Sequence, residues 1–377
     1  MTPSAESAVD GALRLRAWAL HVLGAPGAHP PLPPASPAAW ELFLRVERMA
    51  IPLADALEAQ APGEEHAAVL RRARMTELQR VLSARAALQQ IRSIARRRGL
   101  TVAVMKGAVA VLRRGAPDLS DVDVYASAPE AAVLAEEIDR LGYRAVGAPG
   151  AHALRLRATE DSLPVEVHTS IPGTHGAPER RLVPAPSLPG LYVLHPADHL
   201  WYVLHHATEQ HAERRGALRD LLVLADAMDA CTPDDRREVD RWTAAHWRPE
   251  LFRRVLEMAD GLRRREGAPA DAFRLDAAGR YVAVGWMART PAHETLRIVL
   301  SRSIIAGVAR RAGFPCDQGS ATLDLPSGYP LLAWMRRRAP RVERLARLAI
   351  RQAPEWALYP VGAAAARAAA RAVRRAG

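Results

Sequence analysis

Cysteine is almost absent from this 377-residue chain. The two present, Cys231 and Cys316, are 85 positions apart and neither has a C-x-x-C partner. That excludes a disulfide framework and offers no zinc spacing, so a reducing, cytoplasmic setting is expected. Long hydrophobic runs are also missing. No stretch of about 18 apolar residues escapes interruption by charge, which removes a membrane span from the expectations. A secretory leader is not expected, because Glu6 and Asp10 precede the short apolar run from Arg14 to Ala28 and His21 interrupts it. There is no internal repeat.

Lysine is scarcer still. Of 52 basic residues, 51 are arginine, and Lys106 is the single exception. Arginine is a planar fork and lysine a compact point charge with rotatable donors, so a lone lysine points to a site where the fork does not fit. The alternative is a chance survivor on the surface. The net charge of +11 invites a nucleic-acid reading, but its location argues otherwise. Beyond residue 301 there are 14 Arg against Asp317, Asp324, Glu343 and Glu355, a net of +10, which leaves about +1 for everything before. The centre is therefore not a phosphate-binding stripe. No aromatic residue interleaves Arg367, Arg371, Arg374 and Arg375, so base stacking by the tail is unsupported. Nucleic acid could be met only through this tail, and a solvated end is preferred.

The length allows two or three domains. A proline-rich linker, HPPLPPASP, precedes a region (39–98) that reads as helices, with Leu42, Val46, Met49 and Leu53, then Leu78, Leu82, Leu88, Ile91 and Ala95, as apolar stripes. After Gly99 short alternating runs take over. Strands are predicted at 101–105, 121–125, 143–146, 152–157 and 165–169, the later ones close enough to pair antiparallel. Between them lies a helix opening with Ser127, Pro129 and Glu130 as a capping box and stopped by Gly142. A proline- and glycine-rich stretch then leads to Pro196, which starts a helix through about residue 209, and another helix covers 219–228. The divisions expected are a helical lead-in (1–98), an α/β core (99–175), a helical C-terminal region (176–361) and an Arg/Ala-rich tail (362–377).

Ser120-Asp121-Val122-Asp123-Val124 sets two carboxylates on one face of a strand and two valines on the other. Val165-Glu166-Val167-His168 repeats the arrangement. Carboxylates gathered on one face repel unless a cation sits among them, and such hard oxygens select Mg²⁺ or Mn²⁺. Taken alone, D-x-D is more often a solvent-facing edge strand. Its context is Met105-Lys106-Gly107, where a strand should turn into a helix whose backbone N–H groups, with the ammonium, would make an anion site. Among the histidines, His195 and His199 form H-x-x-x-H without the interior Glu of a zinc hydrolase, so capping or packing is expected of them. His168, two residues after Glu166, either orients that carboxylate or completes a polar rim.

The order V-x-V-M-K-G-A, then S-D-V-D-V, then V-E-V-H resembles the uncharacterised nucleotidyltransferases of the polymerase-β superfamily, whose pattern reads LKG, DIDLLV and ELHW. The resemblance extends over roughly residues 39–230, through Trp40-Glu41-Leu42, Arg98-Gly99-Leu100, 194–201, His206 and Leu218-Arg219-Asp220-Leu221. It implies an α+β fold: a minimal nucleotidyltransferase core, a mixed sheet with helices, flanked by N- and C-terminal helical regions. It also implies Asp121, Asp123 and Glu166 as metal ligands and catalytic carboxylates, Lys106 with Gly107 as phosphate binders, and Ser120, His168, His206 and Asp220 lining the nucleotide or acceptor pocket. Thr169 replaces the usual aromatic, and Pro117 stands where an Arg often precedes the Asp pair, with Arg113 or Arg114 as possible substitutes. The implied activity is transfer of a nucleoside monophosphate from an NTP, ATP being the expected one, to a hydroxyl of a small molecule or modified peptide. The alternatives are a toxin-like transferase acting on tRNA and a degenerate nucleotide-binding scaffold.

Overall fold

Seven short strands form one mixed sheet in a computed structural model that describes residues 5–287, apart from 26, 28–29, 60–62, 112–118, 146–152, 160–161, 172–180, 211–214 and 247–248. The strands are β1 (Ala103–Val104), β2 (Val122–Tyr125), β3 (Arg144–Ala145), β4 (Ala153–Arg157), β5 (Val165–His168), β6 (Leu182–Pro184) and β7 (Tyr192–Leu194). Their order is β3-β4-β5-β2-β1-β7-β6. The pairing of β2 with β5 is parallel, as is that of β1 with β7, and the other neighbours are antiparallel. This is the α+β nucleotidyltransferase-like core that the sequence implies. Its sheet runs further than expected, because β6 and β7 come from the stretch read only as a proline- and glycine-rich connection.

Period-2 alternation divides the sheet into two faces. Val102, Val104, Val122, Val124, Val165 and Val167 turn to one of them. There they pack with Leu88, Ile91 and Ile94 of α4 (Glu64–Arg98), Ala108 and Val111 of α5 (Gly107–Val111), and Leu134 and Ile138 of α6 (Ala128–Arg140). The opposite face carries Ala103, Met105, Tyr125 and Leu194, covered in part by Tyr202. Tyr202 belongs to α7 (Pro196–His205), a helix buried all round whose other residues enter a second, all-helical core. That core gathers α1 (Ala5–Gly24), α2 (Pro37–Glu47), α3 (Ala54–Ala59), α8 (Leu218–Asp229), α9 (Pro233–Ala245), α10 (Pro249–Arg264) and α11 (Arg274–Met287). Helix α4 reaches both cores. At 35 residues it is about 50 Å long, with Leu70 in the helical core and Val81 to Ala95 against the sheet. None of the described helices is long and apolar enough to cross a membrane.

Several local readings are corrected. The stripe through Leu42, Val46, Met49 and Leu53 is not one helix. Arg48 adopts a left-handed conformation that ends α2, and buried Met49 and Leu53 sit in the turn before α3. On α4, Leu78 and Leu82 are exposed, because Ala84 and Ala87 allow close packing and rotate the buried stripe onto Val81, Leu88 and Ile91. Ser127 and Glu130 do not close a capping box. The Ser127 hydroxyl donates to Glu130, whose other oxygen accepts the Thr101 N–H at 2.8 Å and ties α6 to the start of β1. Helix α7 ends at His205 and loosens into a π-turn, His206–Gln210.

The helical core contains a sealed charge network. Glu47, with no exposed surface, accepts from Arg16 at 2.9 Å, the Leu218 backbone N–H at 2.7 Å and the Tyr281 hydroxyl at 2.9 Å. Arg16 also grips Asp271 and the Gly216 carbonyl. Gly216 has φ +68°, and a Cβ there would come within 2.3 Å of Phe273. The three donors to Glu47, with Arg280 Nη2 at 3.5 Å, lower its pKa despite the burial that opposes ionisation. Removing one partner of such a pair strands the other charge at a cost of about 3–5 kcal/mol. Glu47→Ala is therefore expected to lose about 3 kcal/mol or more in urea unfolding, and a loss below about 1 kcal/mol would show that the network is dispensable.

Candidate active site

The parallel register between β2 and β5 brings the carboxylates together. Val122 pairs with Val165, Asp123 with Glu166, Val124 with Val167 and Tyr125 with His168. With the valines committed to the core, Asp123, Glu166 and His168 emerge on the opposite face. Ligand atoms of these three lie within 4.8 Å of one another, the one such metal-compatible group among the described residues. Asp121 flanks them just before β2, where the Ser120 hydroxyl donates to its Oδ1 at 3.2 Å.

Lys106 follows β1 with φ +49°, a conformation that costs a non-glycine residue roughly 1–3 kcal/mol. In this pose its Nζ donates to Asp123 Oδ1 at 2.8 Å, and it sits 5.5 Å from the centre of the Tyr202 ring. The same Oδ1 lies 2.8 Å from His168 Nε2, so that nitrogen carries the proton and the imidazole orients Asp123. Burial penalises the ionised Asp123, but Lys106 and His168 outweigh it and hold the carboxyl well below the usual range. Burial likewise opposes the Lys106 charge. Asp123 overcomes this, and Tyr202, Asp121 and Glu166 reinforce it, raising the ammonium above the usual lysine range. Glu166 moves the other way. Burial, then the charges of Asp121 and Asp123, push it up to about 7 against the pull of Lys106 and Arg155. The site thus keeps an excess of negative charge that one ammonium does not settle, and its hard oxygen donors fit a divalent cation.

The helix-start anion site is not laid out as expected. The Ala108 N–H donates to the Met105 carbonyl and the Val109 N–H to the Lys106 carbonyl, so both are spent within the turn. Gly107 has a packing role here. A Cβ on it would stand 2.6 Å from Leu119 Cδ2, and Leu119 is the buried residue leading into Ser120 and Asp121. His206 closes α7, its ring 6.4 Å from that of Tyr202. Asp220 sits on the first turn of α8 with Arg219 Nη2 at 3.2 Å. His195 lies outside the helix that Pro196 starts, and its Nδ1 is 3.0 Å from Arg181 Nη2. Arg113, Arg114, Pro117 and the basic tail lie outside the described residues.

Two neighbours of the carboxylates escape a reading of the sequence. Tyr202, pushed up to about 12 by burial and by Asp123 and Glu166 against the lowering pull of Lys106, presents a neutral phenol to Lys106. Its signal was its place one turn before His206. Arg155 lies opposite Glu166 in the β4–β5 register, Nε 3.4 Å from Oε1. Its signal was the alternation Ala-Leu-Arg-Leu-Arg along β4.

A sequence profile of uncharacterised nucleotidyltransferases matches residues 37–259, more than half of the chain. The chain belongs to this family. No curated protein and no solved structure matches it. The span shared with the nucleotidyltransferase family contains all seven strands and every residue of the cluster, whereas α1 and α11 fall outside it.

Glu166 gives a direct pH test. Its pKa is raised on folding, so between about 4.5 and 7 the folded chain holds a proton that the unfolded chain releases, and stability falls as pH rises through that window. Glu166→Gln is expected to raise the melting temperature of the metal-free protein at pH 8 and to flatten its slope between pH 5 and 7. An unchanged slope in thermal scans would remove Glu166 from the electrostatic account.

Proposed function

We propose that this protein transfers a nucleoside monophosphate from an NTP to a hydroxyl of a small molecule or modified peptide, with Mg²⁺ or Mn²⁺ held by Asp121, Asp123 and Glu166. Family membership supports nucleotidyl transfer. The observation that carries the reading is the pairing of Asp123 with Glu166 across parallel strands, beside the chain's only lysine. Divalent cations bound there would neutralise phosphate charge and acidify the acceptor hydroxyl.

The chain's own groups then divide the work. The acceptor oxygen forms a bond to the α-phosphorus as the bond from that phosphorus to the bridging oxygen breaks, and pyrophosphate leaves. Glu166, on the side of the cluster away from Lys106, receives the hydroxyl proton. Asp121 and Asp123 serve as ligands, Asp123 being held ionised by Lys106 and His168. Lys106 meets the phosphates of the nucleotide as a point charge, with Tyr202 closing the space behind it. His168 keeps Asp123 in place through its Nε2–H.

Two measurements test this. Asp121→Ala combined with Asp123→Ala should abolish Mg²⁺-dependent NTP binding and pyrophosphate release, read by calorimetry and a coupled pyrophosphate assay. Nucleotide binding without product from any acceptor would favour the scaffold reading. Lys106→Arg should lower kcat/KM by about 10²-fold, on the order of 2.7 kcal/mol, because a planar guanidinium does not reproduce the compact point charge that Nζ sets 2.8 Å from Asp123 Oδ1. A fully active Lys106→Arg protein would show that the lysine is incidental, in a chain that uses arginine everywhere else.

A further inference from the structure

Strand β4 carries two arginines onto the face that bears the carboxylates. Leu154 and Leu156 pair in register with Val167 and Val165 and pack with the sheet core, so Arg155, between them, and Arg157, two residues on, point to the other side. Arg155 lies opposite Glu166, and Glu166 lies opposite Asp123 on β2. Lys106, on the turn after β1, closes the row through its bond to Asp123. Across four adjacent strands spaced about 4.8 Å apart, the site therefore reads cation, carboxylate, carboxylate, cation.

The ends of this row are not equivalent. Lys106 is one part-buried ammonium bound at 2.8 Å. Arg155 is a third exposed and its contact with Glu166 is 3.4 Å, looser than the roughly 2.7–2.9 Å of a close charge-assisted pair. That leaves guanidinium donors for a ligand. Lys106 and Arg155 offset two of the three carboxylates, so an added divalent cation makes the site net positive and calls for anions. Attacking and leaving oxygens lie roughly in line through the reacting phosphorus. With the triphosphate on the Lys106 side, the acceptor approaches from the side of Glu166 and β4.

Resting on the nucleotidyl-transfer reading above, we propose that Arg155 and Arg157 bind an anionic group of the acceptor, a phosphate or carboxylate carried next to the hydroxyl that is modified. The planar forks suit such a group, which they can grip through two parallel hydrogen bonds. The acceptor class is thus a hydroxylated phosphate ester or hydroxy acid, not a neutral alcohol.

The test uses the full chain with Mg²⁺ and a saturating non-hydrolysable NTP analogue, titrated calorimetrically with glycerol 3-phosphate, glycerate or glycerol. Wild type should bind one of the two anions together with the nucleotide and ignore glycerol, and the tighter anion identifies the group. Arg155→Gln and Arg157→Gln should each weaken that anion about tenfold, ~1.4 kcal/mol, and leave nucleotide affinity unchanged. Arg155→Lys, which keeps the charge opposite Glu166, replaces Arg155→Gln if that variant fails to fold, and is expected to lose part of the anion affinity. If the anion and the nucleotide compete, or if the arginine variants weaken the nucleotide instead, the arginines serve the triphosphate and the inference is overturned. Anion affinity indifferent to both variants overturns it as well. If wild type binds anions through these arginines but no nucleotide, the transfer reading itself falls, an outcome separable from the others.

Discussion

The parallel pairing of β2 with β5 holds the site and the core to one register. Val122, Val124, Val165 and Val167 each have 1% or less of their surface exposed, and every one of them neighbours an acidic or imidazole side chain aimed the opposite way. A one-residue slip would bury Asp123 and Glu166 among leucines and expose the valines, since the period of a strand is two. Apolar burial worth roughly 1.5–3 kcal/mol per valine thus stands behind the position of each carboxylate. The repulsion among the carboxylates, visible in the raised pKa of Glu166, is held in place by hydrophobic contacts on the reverse side.

What the sequence made legible follows from that economy. D-x-D and V-E-V-H could be read because alternation, valine content and carboxylates coincide in four or five residues. Strands β6 and β7 could not, being three residues each, with Pro184 inside β6 and Pro189 in the connection between them; β6 pairs only with β7, and β7 joins the sheet through distant β1. The place of Lys106 at a strand-to-helix turn was readable. Its bond to Asp123 was not, because it depends on a left-handed backbone at one residue and on the antiparallel return of β2 beside β1. The stripe of α4 was misjudged at Leu78 and Leu82 because the buried side includes Ala84 and Ala87, and alanines weigh little in a hydrophobic pattern.

The helical shell is joined to this core more firmly than the family span suggests. Helices α1 and α11 lie outside residues 37–259, yet Arg16 and Tyr281 reach the same oxygen of Glu47, at the end of α2. The Leu218 N–H, which starts α8, takes the other oxygen. One carboxylate therefore ties elements from both ends of the described chain, while α7 carries Tyr202 from that shell onto the sheet face beside Lys106.

The solitary lysine has a further consequence. An ammonium kept charged by Asp123 has no lone pair to offer, and arginine side chains do not acylate under the same conditions. Folded, the chain presents no nucleophilic side-chain amine at neutral pH, so reactive acyl phosphates and aldehydes have no lysine to modify. The carboxylate cluster is in this way left without a side chain open to such electrophiles.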